Sequence, residues 1–223
     1  MRTVADRYKA ICQKMAQAAA GAGRPLHAAT LVGVVKGQAP EGILEAYHAG
    51  LRDFAHSYVR EAVETQHLRE LMPEARWHFI GPIQSNKTRH LQQGWYRVHS
   101  LDRLKIAKRL ASAEVLVQVR LGGELSKSGV DPEQLLGFLE QLAGSTSVTV
   151  KGLMTIPPPA DQFSPSVAFH RLAGLATDCM AKGLLPEGAE LSMGMSNDFE
   201  AAVAAGAHWV RVGRSLFGDR LGH

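Results

Sequence analysis

Cysteine is nearly absent. Cys12 and Cys179 stand far apart and in no CxxC arrangement, which excludes a disulfide framework and a thiolate zinc site and leaves two buried or half-buried thiols. No run approaches the roughly 18 to 20 apolar residues of a membrane span. The first fifteen residues carry Arg2, Asp6, Arg7, Lys9 and Lys14 among apolar positions, a helical pattern and no secretory leader, so a cytoplasmic chain is expected. There is no P-loop and no GxGxxG, since Gly122-Gly123 stands alone. The ten histidines contain no HExxH or His-x-His, and His27, His48, His67, His90 and His170 read as surface residues of loops and helices, so no metal site is expected. Excess charge is also small, +4 over 223 residues. The densest basic cluster, Arg103, Lys105, Lys108 and Arg109, reads as a solvated helix face, and nucleic acid is not an expected partner.

What is present is alternation. Short apolar stretches at 30–36, 53–57, 76–82, 97–101, 114–121, 148–156, 190–195 and 208–213 read as strands. Helical stretches fall between them at 41–49, 59–71, 85–92, 102–111, 132–142, 166–182 and 198–205. Asp102, Asp131 and Asn197-Asp198 suit helix starts; Gly50, Gly183 and Gly206 suit left-handed helix ends. Continuous runs such as Val115-Leu116-Val117 fit parallel strands buried on both faces. No Pro/Gly/Ser linker divides the chain. The expected fold is therefore α/β: one domain over 1–223, a (β/α)8 TIM-type barrel with an extra N-terminal helix at 1–23, and a doubly wound open sheet as the alternative.

In a barrel, chemistry gathers where the strands end, which selects Lys36, His56, Ser57, Gly81, Gln84, Ser100, Arg120, Met154, Ser192, Ser196 and the segment 211–215. Lys36 closes an apolar strand. Desolvation favours the neutral amine, the nucleophile that forms a Schiff base with an aldehyde, although a strand-end lysine reaching to solvent would look the same. Arg211-Val212-Gly213-Arg214-Ser215 resembles a phosphate cradle to which Ser196 could add a hydroxyl, and β1 and β8 adjoin in a closed barrel, so amine and anion site would share one mouth. The loop Ser126-Lys127-Ser128-Gly129 is also compatible with an anion.

Taken in order, Leu31-Val32-Gly33-Val34-Val35-Lys36, the segment from His78 to Lys87, Val98-His99-Ser100, Ser126-Lys127-Ser128-Gly129, the segment from Gly152 to Pro157, the segment from Leu191 to Asp198 and Val210-Arg211-Val212-Gly213 resemble the pyridoxal phosphate homeostasis protein family, related to the N-terminal barrel of alanine racemase. The resemblance implies a fold type III barrel holding pyridoxal 5'-phosphate as a Schiff base on Lys36, its phosphate taken by Ser196, Gly213 and Arg214, and Arg211 facing the pyridine nitrogen. A permanently charged arginine there discourages protonation of the ring and makes a poor electron sink. With no room for the racemases' second domain, one face of the cofactor is expected to stay open. The resemblance thus implies a carrier in cofactor and amino-acid homeostasis, monomeric, without catalytic residues, with PLP-dependent apo-enzymes as recipients.

Two segments depart from the family pattern. Phe54-Ala55-His56-Ser57-Tyr58 replaces Phe-Gly-Glu-Asn-Tyr, and Val35-Lys36-Gly37 replaces Ser-Lys-Thr. They leave open a small racemase with His56 as acid or base, and a sugar-phosphate lyase using a lysine without cofactor shares the same barrel.

Overall fold

The computed structural model describes residues 3–122, 128–157 and 164–218, so Ser126 and Lys127 of the candidate anion loop lie outside the described residues. Eight parallel strands close into a barrel in chain order: β1 (Thr30–Val34), β2 (Asp53–His56), β3 (Arg76–Phe79), β4 (Arg97–Leu101), β5 (Glu114–Gln118), β6 (Thr149–Met154), β7 (Glu190–Ser192) and β8 (Trp209–Val212). β8 returns to β1 with Val32 opposite Arg211 and Gly33 opposite Val212, which rules out the open sheet.

Alternation along the strands makes two cores. Val32, Ala55, Leu116, Met154 and Trp209 point inward with Ile80 and fill the barrel, while residues such as Leu31, Phe54 and Phe79 join the larger layer under the helices. The outer layer is built from α1 (Val4–Gly21), α2 (Pro40–His48), α3 (Val59–Glu64), α4 (Leu68–Leu71), α5 (Leu104–Ala107), α6 (Leu135–Ser145), α7 (Pro165–Ala181), α8 (Phe199–Ala204) and α9 (Arg214–Phe217). α1 opens on a capping box in which the Thr3 hydroxyl accepts from Asp6 N–H and the Asp6 carboxylate accepts from Thr3 N–H. It packs Ile11, Met15 and Ala19 against the barrel's helical coat beside α8 and α9. None of the helices described is long and apolar enough to cross a membrane.

Several elements are shorter than their sequence patterns. Except in β4, pairing stops one to three residues early, which leaves Lys36, Ser57, Gly81 and Ser196 in loops beyond the ladder. The helix expected over 59–71 breaks where Thr65 turns both its N–H and its hydroxyl to the Glu61 carbonyl. The stretch 85–92 keeps one 3-10 turn, Thr88–Leu91, and 102–111 keeps only α5. Asp102, Asp131 and Asp198 cap no helix with their side chains; Asp198 instead accepts from Met195 N–H at 2.5 Å. The basic residues around α5 are exposed, and Arg103 and Arg109 clamp the β3–β4 connection by donating to the Ile83 and Ser85 carbonyls. Cys12 is half-buried and Cys179 buried, both as free thiols.

Candidate functional site

The apolar strand β1 delivers Lys36 to the carboxyl end of the barrel, two residues past the last paired position. Its ammonium donates to the Tyr58 hydroxyl at 2.7 Å and lies 4.5 Å from the centre of that ring. Tyr58 is itself 46% exposed, so the amine stands at the open rim. Gly37 follows with φ of 64°, a left-handed turn that glycine adopts without strain.

At the adjoining strand end, Gly213 and Arg214 line one narrow cleft with Val34, Lys36, Gln38 and Gly218. Gly213 has an ordinary φ of −110°, and a β-carbon there would meet Val34 at normal contact distance, 3.4 Å or more. Neither backbone nor packing demands glycine; a side chain would take up space at the edge of the cleft shared with the amine. Ser196 is tied to the first turn of α9, its hydroxyl accepting from Ser215 N–H at 3.3 Å while its carbonyl accepts from the Ser215 hydroxyl at 3.4 Å. The loop that carries Ser196 turns on Gly194, and Arg211 N–H donates to the Gly194 carbonyl at 3.0 Å. Arg211, two residues before Gly213 and on the same face, is 3% exposed; its guanidinium donates to the Ser192 hydroxyl and the Thr155 carbonyl. Burial pulls it down to about 10, against a smaller opposing effect of Asp198, so it is still a cation at neutral pH.

Lys36, Gly213 and Arg214 thus meet around one cleft, while Ser196 is joined to it only through Ser215 of α9 and Arg211 is buried two residues before Gly213. A larger hollow of about 520 Å³ opens between α1 and the β7–α8 connection and is lined by Ser196 and Ser215, which do not line the narrow cleft; its one amine, Lys14, is paired with Glu200 at 3.1 Å. An amine in the narrow cleft, beside a glycine backbone and an arginine, is the donor set that suits a phosphorylated aldehyde.

His56 does not join it. The last residue of β2 points outward, stacks on Trp77 with ring centres 5.1 Å apart, meets Trp95 edge-on, and approaches the Thr65 hydroxyl at 3.4 Å. An acid or base role at the mouth is therefore corrected to a packing role under α3. Burial, with a smaller effect of Arg69, lowers its pKa to about 4. The unfolded chain takes up this proton near pH 6.5 and the folded one does not, so His56 makes the fold lose about 3 kcal/mol as pH falls from 6.5 to 4. A His56→Phe variant is expected to show a correspondingly flatter dependence of urea-unfolding stability on pH across that window, with the stability above pH 7 changed far less.

The sequence reading missed the interior of the barrel. His78 and His99 are both fully buried, and Asp53 is 2% exposed. The signal was available: with side chains alternating along a strand, Arg76-His78-Ile80 and Arg97-His99 fall on the inward face.

Residues 7–221 match the family model described as alanine racemase, N-terminal domain. The pyridoxal phosphate homeostasis protein of Pseudomonas aeruginosa is 42% identical, the match covering 99% of this chain and 97% of that protein. The protein of the same name from Vibrio cholerae is 38% identical over 99% and 98%. The structure of PipY from Synechococcus elongatus PCC7942 with PLP bound superposes with a TM-score of 0.78 at 34% identity, covering 92% of this chain and all of that one.

Proposed function

The chain belongs to the pyridoxal phosphate homeostasis proteins within the alanine racemase N-terminal domain family, and from that premise we propose that its mouth holds pyridoxal 5'-phosphate on Lys36. The observation that carries the reading is the meeting of one amine with Gly213 and Arg214 around a single cleft. Lys36 would hold the aldehyde carbon as a Schiff base, with Tyr58 orienting the amine. Ser196, Gly213 and Arg214 would take the phosphate, Ser196 through its hydroxyl and Arg214 through a charge-assisted contact. Arg211 would face the ring nitrogen. When bound, the cofactor supplies a reactive aldehyde and an electron-accepting ring; beside Arg211, which has no proton to receive and keeps its charge, that ring is a weak acceptor.

The relatives bear the names of homeostasis proteins and not of enzymes. The further reading is a non-catalytic carrier: one barrel domain that binds, shields and hands on the cofactor to PLP-dependent apo-enzymes, as a monomer in the cytoplasm. The outward packing of His56 supports a carrier over a racemase that would use it.

The purified protein, mixed with pyridoxal phosphate and then freed of the excess, should retain a visible absorption band. Borohydride should then fix one phosphopyridoxyl group, and peptide mass analysis should find it on the peptide containing Lys36. A label on Lys14 or on scattered lysines overturns the site.

A further inference from the structure

Beneath the mouth, one unbroken chain of hydrogen bonds runs through the barrel. Arg211 donates to Ser192 Oγ at 2.7 Å; Ser192 Oγ lies 2.7 Å from His99 Nδ1; His99 Nε2 lies 2.9 Å from His78 Nδ1; and His78 Nε2 lies 2.9 Å from an Asp53 oxygen. The other Asp53 oxygen accepts from Arg76 at 2.6 Å. Each side chain from Asp53 to Arg211 is at most 3% exposed, and Trp209 covers both imidazoles with ring centres at 5.1 and 6.3 Å.

The chemistry of the groups fixes every proton in it. Burial holds both histidines below the ordinary range, for His78 in spite of the opposing pull of Asp53, so both are neutral. A carboxylate only accepts, so His78 carries its proton on Nε2 and its Nδ1 must accept. His99 then donates from Nε2 and accepts at Nδ1, which obliges the Ser192 hydroxyl to donate to it while accepting from Arg211. All donors point one way, from Arg211 to Asp53. The chain is no proton conduit, because a guanidinium at its upper end has no site to receive a proton.

We infer that Asp53, His78, His99 and Ser192 are positioning residues for Arg211: an oriented relay that fixes the guanidinium and places the Asp53 charge at its far end as a remote counter-charge, thereby setting how strongly Arg211 acts on the pyridine nitrogen. This rests on the proposed cofactor site. The physical need is plain. Among the described residues no carboxylate lies within 4 Å of Arg211, and its contacts at Ser192 and Thr155 are neutral, yet a buried cation requires compensation. Oriented hydrogen bonds in a low-dielectric interior polarise one another and carry it. The other charges reaching the chain are Arg97 and Arg76 by the histidines and Asp198 by Arg211; at the mouth stand Lys36, Tyr58 and Arg214.

Nitrogen-15 NMR of the full chain without added cofactor should show His78 and His99 as neutral Nε2–H tautomers, with the His99 Nδ1 resonance displaced in Ser192→Ala. A charged ring or an Nδ1–H tautomer at either position overturns the relay. With pyridoxal phosphate loaded, Asp53→Asn should move the pH midpoint of the visible band downward by on the order of half a unit, because one negative charge fewer disfavours the protonated chromophore. Ser192→Ala should move it the same way and Ser192→Thr should restore it, a pair that decides the matter if Asp53→Asn does not fold. An unchanged midpoint makes the chain merely structural and overturns the role. A protein that takes up no pyridoxal phosphate overturns the cofactor reading and the role with it, while the tautomers still report whether the relay exists.

Discussion

A Lys36→Ala variant is colourless once unbound pyridoxal phosphate is removed, and its dissociation constant rises by about 100-fold or more, since loss of the covalent link removes at least about 3 kcal/mol of binding. The fold itself should barely notice. Lys36 is half-buried at a rim and its hydrogen-bond partner Tyr58 is exposed, so unfolding stability without ligand should change by less than about 1 kcal/mol. The contrast is readable in one thermal-unfolding series. Ligand at a hundred times its dissociation constant stabilises the wild type by about 2.7 kcal/mol, and the same concentration should shift the variant's midpoint hardly at all. Lys14→Ala is the control, because Lys14 is engaged with Glu200 in the larger hollow and should leave the shift intact. A Lys36→Ala protein that keeps the band and the thermal shift would place the capture elsewhere.

Gly194→Val should be strongly damaging to the fold near the site. Gly194 has φ of 90°, in the left-handed half of backbone space, and a β-carbon there would stand 2.5 Å from Ala202 Cβ and 3.1 Å from Phe199 Cα. Backbone strain and overpacking each cost about 1 to 3 kcal/mol, so a loss of about 4 kcal/mol is expected in urea unfolding. The same loop leads to Ser196, and the Gly194 carbonyl receives Arg211 N–H, so uptake of pyridoxal phosphate should weaken even at temperatures where the variant is folded. Gly174→Ala, in the middle of α7 where a β-carbon meets nothing within 4 Å, should be neutral or slightly stabilising. Equal effects of the two changes would mean that the turn at Gly194 tolerates a side chain.

The barrel was legible in the sequence because each strand is a short apolar run between amphipathic stretches, and a parallel strand buried on both faces needs such a run; Val115, Leu116 and Val117, all fully buried, are the clearest case. The meeting of Lys36 with Gly213 and Arg214 was legible too, because strand ends in a closed barrel converge on one mouth. Element boundaries were less so. Thr65 stops α3 with its own hydroxyl and Asp198 turns to Met195 instead of capping α8, both local hydrogen-bond choices that propensity does not rank.

Composition and spacing by themselves determined the fold class, the number of strands and the amine beside an anion-friendly turn. Which side of a strand a residue serves was decided only by tertiary structure. Pairing phase turned His56 outward onto Trp77 and turned His78, His99 and Asp53 inward into a chain ending on Arg211, residues from four different strands that lie far apart along the chain. A one-residue change of phase exchanges the faces, and nothing short of the closed sheet fixes it.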